Sequence, residues 1–304
     1  MSISIHKKHQ LKGHRAAVYA LSPYTSPDSF LSASGDGWVA LWEHQKLPDG
    51  QLLAQIEGNI FSLCYLPKQH WLVIGNMYGG VHWIDLATNK NLKNSLVHKK
   101  GVYAIEAIGE ELYSLGGQGC LSKWSIEQQK PLETLQLSNK SLRSLCYNSA
   151  QDELIVGASD CNIYVLDRQS LTIKQTLQQA HDNSVFALAL TSDKQYLLSG
   201  GRDAYLRIWN SNNNYKKVED IPAHWFTLNY IAPHPNLPII ATASRDKTIR
   251  LWNSETFKPI GTIDTMIHGG HPNSINSLLW INNGSQLISC SDDRTLIVWD
   301  VEFV

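Results

Sequence analysis

Hydrophobic positions in this chain come in short, nearly unbroken runs such as VYALSPY, FLSASG and WVALW, separated by turn-forming pairs such as DG, RD and DD. No stretch of ten or more residues carries apolar positions at the helical period, so the pattern predicts strands joined by tight turns. The runs do not alternate cleanly between apolar and polar residues. Strands read this way when both faces of their sheet are covered.

Two landmarks recur. Asp stands six residues before Trp in SASGDGWVALWE, SGGRDAYLRIWN, TASRDKTIRLWN and SCSDDRTLIVWD. His stands four residues before an aliphatic at His14, His98, His181, His224 and His271. With these anchors weaker copies fall into phase, placing Ile84, Trp124 and Leu166 at the Trp position. The Trp-equivalent positions are then 42, 84, 124, 166, 209, 252 and 299, with spacings of 42, 40, 42, 43, 43 and 47. Length alone would suggest about two domains. The seven units leave no linker and no shift in composition, so residues 1–304 read as one domain. A period of roughly 40–45 residues with four short strands is that of a propeller blade.

These landmarks, repeated in register, resemble the WD-repeat family, and the resemblance extends over essentially the whole chain. It implies an all-β fold: a seven-bladed β-propeller of four-stranded antiparallel blades, whose usual activity is to hold other proteins. It further implies hydrogen-bonded tetrads of His14, Asp36, Ser32 and Trp42; His181, Asp203, Ser199 and Trp209; His224, Asp246, Thr242 and Trp252; and His271, Asp293, Ser289 and Trp299. Unit two (Met77, Tyr78) and unit three (Gln118) lack the Asp, and unit four lacks the His and Trp. Those three blades are expected to be held mainly by apolar packing. The segment SISIHKKHQL is expected to pair with the last three strands, closing the ring and removing exposed sheet edges.

By the same resemblance, the loops carrying the His and the turns carrying the Asp share one face, the family's recognition face. The residue after each inner-strand aliphatic (Tyr19, Phe61, Tyr103, Arg143, Phe186, Asn229 and Asn276) is expected around the channel mouth. Aromatic residues and Arg are what binding hot spots favour, although aromatics can also merely fill a channel. The residue before each turn position is Gly35, Met77, Gly117, Ser159, Arg202, Arg245 or Asp292. Arg202 and Arg245 sit on adjacent blades with Arg143 one blade further back, a set able to fork onto carboxylate or phosphate. Trp225 follows His224 and is an anchor if exposed, a cover for the blade end if not. Trp38 and Trp71 are expected to be packing residues. The loop DTMIHGGHP is the one long insertion on this face and is placed to overhang the channel mouth.

Charge narrows the partners. Lys and Arg total 26 against 27 Asp and Glu, a net charge of −1, which argues against nucleic acid. Five scattered Cys without a CxxC pair suit a reducing, cytoplasmic setting. The N-terminal segment shows no apolar signal region, and no apolar run approaches the ~18 residues that would suggest a membrane span. Of the twelve His, five hold the repeat position; His268 and His271 have a ligand-like spacing, but His271 is already claimed by its unit. Glu110 and Glu111 read as a solvated loop. No phosphate-binding, zinc-protease or nucleophile-elbow motif is present, so no cofactor, metal or catalytic residue is expected. The function expected is a non-enzymatic protein- or peptide-binding scaffold or adaptor, monomeric in isolation. It would take acidic or phosphorylated segments through Tyr19, Phe61, Tyr103, Arg143, Phe186, Arg202, Trp225, Arg245 and Asp292. The alternatives are a structural subunit bound through blade edges and, further off, a small-molecule binder or enzyme using the channel mouth.

Overall fold

A computed structural model describes residues 3–43 and 46–303. These residues form seven four-stranded antiparallel sheets. In blade one the strands, from the inside outward, are Val18–Pro23 (a), Ser29–Ser34 (b), Trp38–Glu43 (c) and Gly50–Gln55 (d). Blades two to six follow over residues 60–96, 102–136, 142–177, 185–222 and 228–263. Strands a of consecutive blades touch one another all the way round, the last one meeting the first.

Blade seven is made from both ends of the described chain. Its strands a to c are Ile275–Ile281, Gln286–Ser291 and Leu296–Phe303, and its strand d is Ile3–Leu11. That outer strand runs antiparallel to Leu296–Phe303, with Ile3 opposite Phe303 and Leu11 opposite Leu296. Leu11 is fully buried. The expected ring closure is therefore present; Ser2, the first residue of the expected strand, lies outside the described residues.

The core is divided among the blade interfaces. Seven apolar clusters are found, each spanning one pair of neighbouring blades. Leu11, Val18, Phe30 and Trp42, for example, pack with Ile281, Ile288 and Leu296 where blade seven meets blade one. Strand b is buried at every position in blades one, four, six and seven. This explains the unbroken apolar runs: each blade is covered on both faces. Strand d is the most solvated of each blade, and in blades two, three, five and seven it carries charge, as in KPLETLQ, which protects an unpaired edge from pairing with another chain.

The turn between strands b and c has a fixed shape. Its residue after the Asp position (Gly37, Gly79, Gly119, Cys161, Ala204, Lys247 and Arg294) has φ between 68° and 92° in every blade. At Gly119 the space is tightest, because a Cβ there would lie 1.8 Å from the Ser138 carbonyl oxygen.

The insertion DTMIHGGHP is not where the sequence placed it. It folds as a short helix, Thr265–His268, capped by Asp264, whose Oδ1 accepts the Ile267 N–H at 2.7 Å. The helix lies against the outer strand Ile3–Leu11, and Lys7 Nζ donates to the Gly269 carbonyl at 2.7 Å. None of its residues lines the channel. With strand d of blade seven supplied by the chain's start, the insertion has a neighbour at the rim and docks there.

Candidate functional site

The tetrads tie the loop before each blade to the turn inside it. In blade one Trp42 Nε1 donates to Ser32 Oγ at 2.8 Å, Ser32 Oγ lies 2.8 Å from His14 Nε2, and His14 Nδ1 lies 3.1 Å from Asp36. Asp36 also accepts the backbone N–H groups of Arg15 at 2.7 Å and Trp38 at 2.9 Å. Blades five, six and seven repeat the arrangement, with His181–Asp203 at 3.0 Å, His224–Asp246 at 2.9 Å and His271–Asp293 at 2.7 Å. The direction of each bond follows from charge. A carboxylate only accepts, so Nδ1 carries the proton and Nε2 takes the hydroxyl hydrogen. Burial pulls the Asp36 and Asp293 pKa values up, but their hydrogen bonds outweigh it and both end below the usual carboxylate range. Burial holds His14, His181 and His224 below their ordinary value despite the neighbouring carboxylates.

The other three blades differ from one another. Blade two has Ile56, Ile74, Tyr78 and Ile84 at the tetrad positions, and the three isoleucines join the apolar cluster shared with blade one. Blade four keeps Asp160, which accepts from Ser138 and from Tyr164 at 2.7 Å, while Val156 and Leu166 pack in the core. Blade three corrects the expectation of mainly apolar packing. Trp124 Nε1 donates to Ser114 Oγ at 2.8 Å, His98 Nε2 lies 2.8 Å from the same oxygen, and Gln118 Nε2 reaches His98 Nδ1 at 3.1 Å. Gln is one methylene longer than Asp and spans the same gap as a neutral group. Its Oε1 is left buried without a partner, and burial drives His98 down to about 4.

The loops and turns so fixed define an upper face. The residue before each turn position donates its backbone N–H to the residue preceding the inner strand, including Arg202 to Ser184 at 3.0 Å, Arg245 to Thr227 at 2.9 Å and Asp292 to Ser274 at 3.0 Å. The side chains of Arg202 and Arg245 are exposed, and neither takes part in an ion pair or side-chain hydrogen bond among the described residues. Trp225 has its backbone N–H held by Asp246 at 3.0 Å, yet its indole is 82% exposed and Phe226 beside it 59%. The same loops carry further exposed cations, among them Lys100, Lys140, Lys247 and Arg294.

Inside this face lies the channel mouth. In all seven inner strands the register slips by one residue at the same place, leaving Tyr19, Phe61, Tyr103, Arg143, Phe186, Asn229 and Asn276 as the extra residue. A bulge kinks its strand and re-aims the bulged side chain. All seven line one central channel of about 1870 Å³. Five of them form a continuous arc. Tyr19 meets Phe61 edge-on at 5.4 Å, Phe61 stacks on Tyr103 at 5.4 Å, and the Arg143 guanidinium lies 4.0 Å from the Tyr103 ring centre and 5.4 Å from that of Phe186. Arg143 Nε donates to Ser159 Oγ at 3.2 Å. The two Asn residues turn to the next blade: Asn229 Nδ2 donates to the Ile275 carbonyl at 2.8 Å, and Asn276 Nδ2 donates to Asp292 Oδ1 at 2.8 Å and to the Val18 carbonyl at 2.9 Å. Asp292 is thus drawn into the ring; burial raises the Tyr19 pKa, and the nearby Asp292 charge adds to it.

Of the expected set, the five arc residues are brought together at the mouth, whereas Arg202, Trp225 and Arg245 stand outside it on blades five and six. Trp38 lies under the Arg15 guanidinium at 4.8 Å, and Trp71 packs edge-on against Trp83 at 6.5 Å. Sequence reasoning passed over Phe226 and Glu106. The second carries a signal: it is a carboxylate within the apolar inner strand VYAIEAI. Among the described residues no three His, Cys, Asp or Glu side chains gather as metal ligands, and no helix is long and apolar enough to cross a membrane.

Comparison with known proteins agrees with this geometry. Among solved structures, the WD40 β-propeller domain of Doa1 superposes with a TM-score of 0.85 over 97% of each chain at 20% identity, a likeness of fold. The THO complex subunit 6 homolog of Danio rerio is 27% identical over 177 residues, 51% of this chain and 54% of that protein. The nuclear distribution protein PAC1 of Arthroderma otae is 24% identical over 323 residues, 97% of this chain and 61% of that protein. The anaphase-promoting complex subunit cdc20 of Dictyostelium discoideum is 27% identical over 197 residues, 61% of this chain and 37% of that protein. The chain therefore spans between 37% and 61% of the length of these relatives. A model of the WD domain, G-beta repeat, matches residues 5–43, 172–210, 215–253 and 258–300. Each match runs from strand d of one blade through strand c of the next, and the four blades so marked are those with complete Asp-bearing tetrads. Repeats, tetrads and closed ring together make this chain a member of the WD40-repeat family.

Proposed function

We propose that the chain is a single propeller domain serving as a non-enzymatic scaffold, and that its upper face takes an acidic or phosphorylated segment of a partner protein. The observation that carries this reading is the pair Arg202 and Arg245: two exposed guanidiniums without partners among the described residues, each on a pinned turn of neighbouring blades, with an exposed Trp225 in the loop before blade six. Guanidinium forks match carboxylate and phosphate geometry, and an exposed Trp supplies the apolar anchor that hot spots favour. Arg143, stacked between Tyr103 and Phe186 with one bond to Ser159, offers a third cation at the mouth. Two of the relatives are named as subunits of complexes, which suits a scaffold. As a scaffold in a reducing compartment, it would work as a monomer until assembled.

The test is binding of acidic and phosphorylated peptides, followed by fluorescence anisotropy, against the variant Arg202→Glu, Arg245→Glu. Losing two charge-assisted hydrogen bonds at about 1.5–3 kcal/mol each should weaken binding at least about a hundredfold. Phe186→Ala should weaken the same peptides with little dependence on salt, because it removes apolar contact. If both variants bind as the wild type does, the interface lies on the blade edges or the lower face instead.

A further inference from the structure

Below the aromatic arc the channel changes character at one blade. Strand a of blade three carries Tyr103 at the upper mouth and Glu106 three residues further down. The equivalent positions in the other blades hold Ser22, Cys64, Cys146, Ala189, Ala232 and Leu279, so Glu106 is the one charged residue at its level. It makes no hydrogen bond or ion pair among the described residues. The groups near it are Cys64 from blade two, Cys146 from blade four and Tyr230 from blade six, all neutral or potentially anionic. Its surface is still reached from the channel, but the wall is dense enough that loss of hydration raises its pKa to about 7.

The acidic character continues downward on the same blade. Glu110 and Glu127 line the lower mouth and are exposed, whereas their neighbour Glu111 is already bound by Lys123 at 2.7 Å and Arg168 at 2.6 Å. The cations that also reach the lower mouth, Lys68 and Lys194, stand on blades two and five. An enclosed carboxylate without a partner is costly, and a cation brought beside it restores what lost hydration removed. A linear chain fits a channel, and an ammonium group brings three hydrogen-bond donors.

We propose that the lower half of the channel binds a linear alkylammonium ion, free or at the end of a lysine side chain, which enters past Glu110 and Glu127 and pairs with Glu106. The site is independent of the upper face. It has the opposite charge preference and the opposite entrance.

The experiment is calorimetric titration of the whole chain at about pH 8, where Glu106 is mostly ionised, with n-butylammonium chloride and, separately, with Nα-acetyl-lysine amide. Saturable binding of at least one is expected, weakened about tenfold or more by Glu106→Gln, as befits loss of a charge-assisted bond. Glu106→Gln should melt no lower than the wild type, since it removes an unpaired charge. Binding of butylammonium alone marks a free amine as the occupant, and binding of the lysine derivative alone marks a side chain. A second measurement needs no variant: the ¹³C carboxyl resonance of Glu106 should titrate at lower pH when the amine is present. Absence of saturable binding by both compounds, equal binding by Glu106→Gln, or a Glu106 midpoint indifferent to the amine would each overturn the proposal.

Discussion

Gln118→Asp should stabilise the protein, although it buries a new carboxylate. In the wild type the Gln118 side chain makes one bond, to His98, and leaves Oε1 buried and unpaired. In blade one the corresponding Asp36 takes three donors: His14, the Arg15 N–H and the Trp38 N–H. The residues standing where Arg15 and Trp38 do are Lys99 and Cys120. Removing an unsatisfied acceptor is worth about 1–3 kcal/mol, and two added bonds to a charged group contribute about 1.5–3 kcal/mol each before desolvation of the carboxylate is subtracted. A net gain of about 1–2 kcal/mol follows, or a rise in melting temperature of roughly 2–6 °C. The pH dependence carries a sign. His98 sits at about 4 when folded against about 6.5 when unfolded, so its contribution is complete above the unfolded value and is lost progressively as pH falls toward the folded one. An adjacent carboxylate raises His98 and narrows that loss, so the advantage of Gln118→Asp should grow between about pH 7 and pH 5. The carboxylate's own contribution, with a depressed folded pKa like that of Asp36, is present above the ordinary carboxylate range and lost only below it. Urea midpoints at several pH values test this, with Gln118→Asn as a control that shortens the side chain without adding charge. An aspartate variant no more stable than the asparagine variant would refute the reasoning.

Removing residues 1–11 should open the ring. The deletion exposes strand c of blade seven as a new edge and takes out the fully buried Leu11, whose truncation to Ala alone would cost about 2–5 kcal/mol; aggregation or a large fall in melting temperature is expected by light scattering and calorimetry, and a normal monomer would contradict the closure argument. Gly119→Ala should cost at least about 1–3 kcal/mol, because a side chain there meets the Ser138 carbonyl as well as an unfavourable φ. Ala204→Gly, at the same turn position in blade five, should be nearly neutral, and equal effects of the two would mean the turns are less confined than they are drawn.

Much of this was legible because the markers of the repeat are tied to backbone geometry. Asp and Trp keep their spacing because one sits in the b–c turn and the other faces Ser or Thr across two paired strands. The closing strand could be read from its position before the first His. The seven bulges were not legible, because a slipped register depends on how neighbouring inner strands crowd the channel and leaves no mark on composition. The role of Gln118 was hidden for a different reason: substitution by a longer neutral side chain changes the residue type while preserving reach. The exposure of Trp225 depended on its backbone N–H donating to Asp246, which fixes the loop without enclosing the indole. The place of DTMIHGGHP depended on Lys7, a residue far away in sequence.

The way blade seven is assembled also sets an order in time. Of the strands described, Ile3–Leu11 emerges first during synthesis, yet its hydrogen-bonding neighbour Leu296–Phe303 emerges last. Until then the first strand has no native edge to join, and the apolar surfaces where blades one and seven will meet stay open to solvent. Blades two to six can form from local hairpins as they appear, but the final interface demands contact between the most distant segments of the chain, the slow kind of closure. A ribosome stalled before Leu296–Phe303 has emerged would hold nearly the whole propeller with its seam unsealed, so growing chains are expected to need shelter from aggregation until that strand is free to pair.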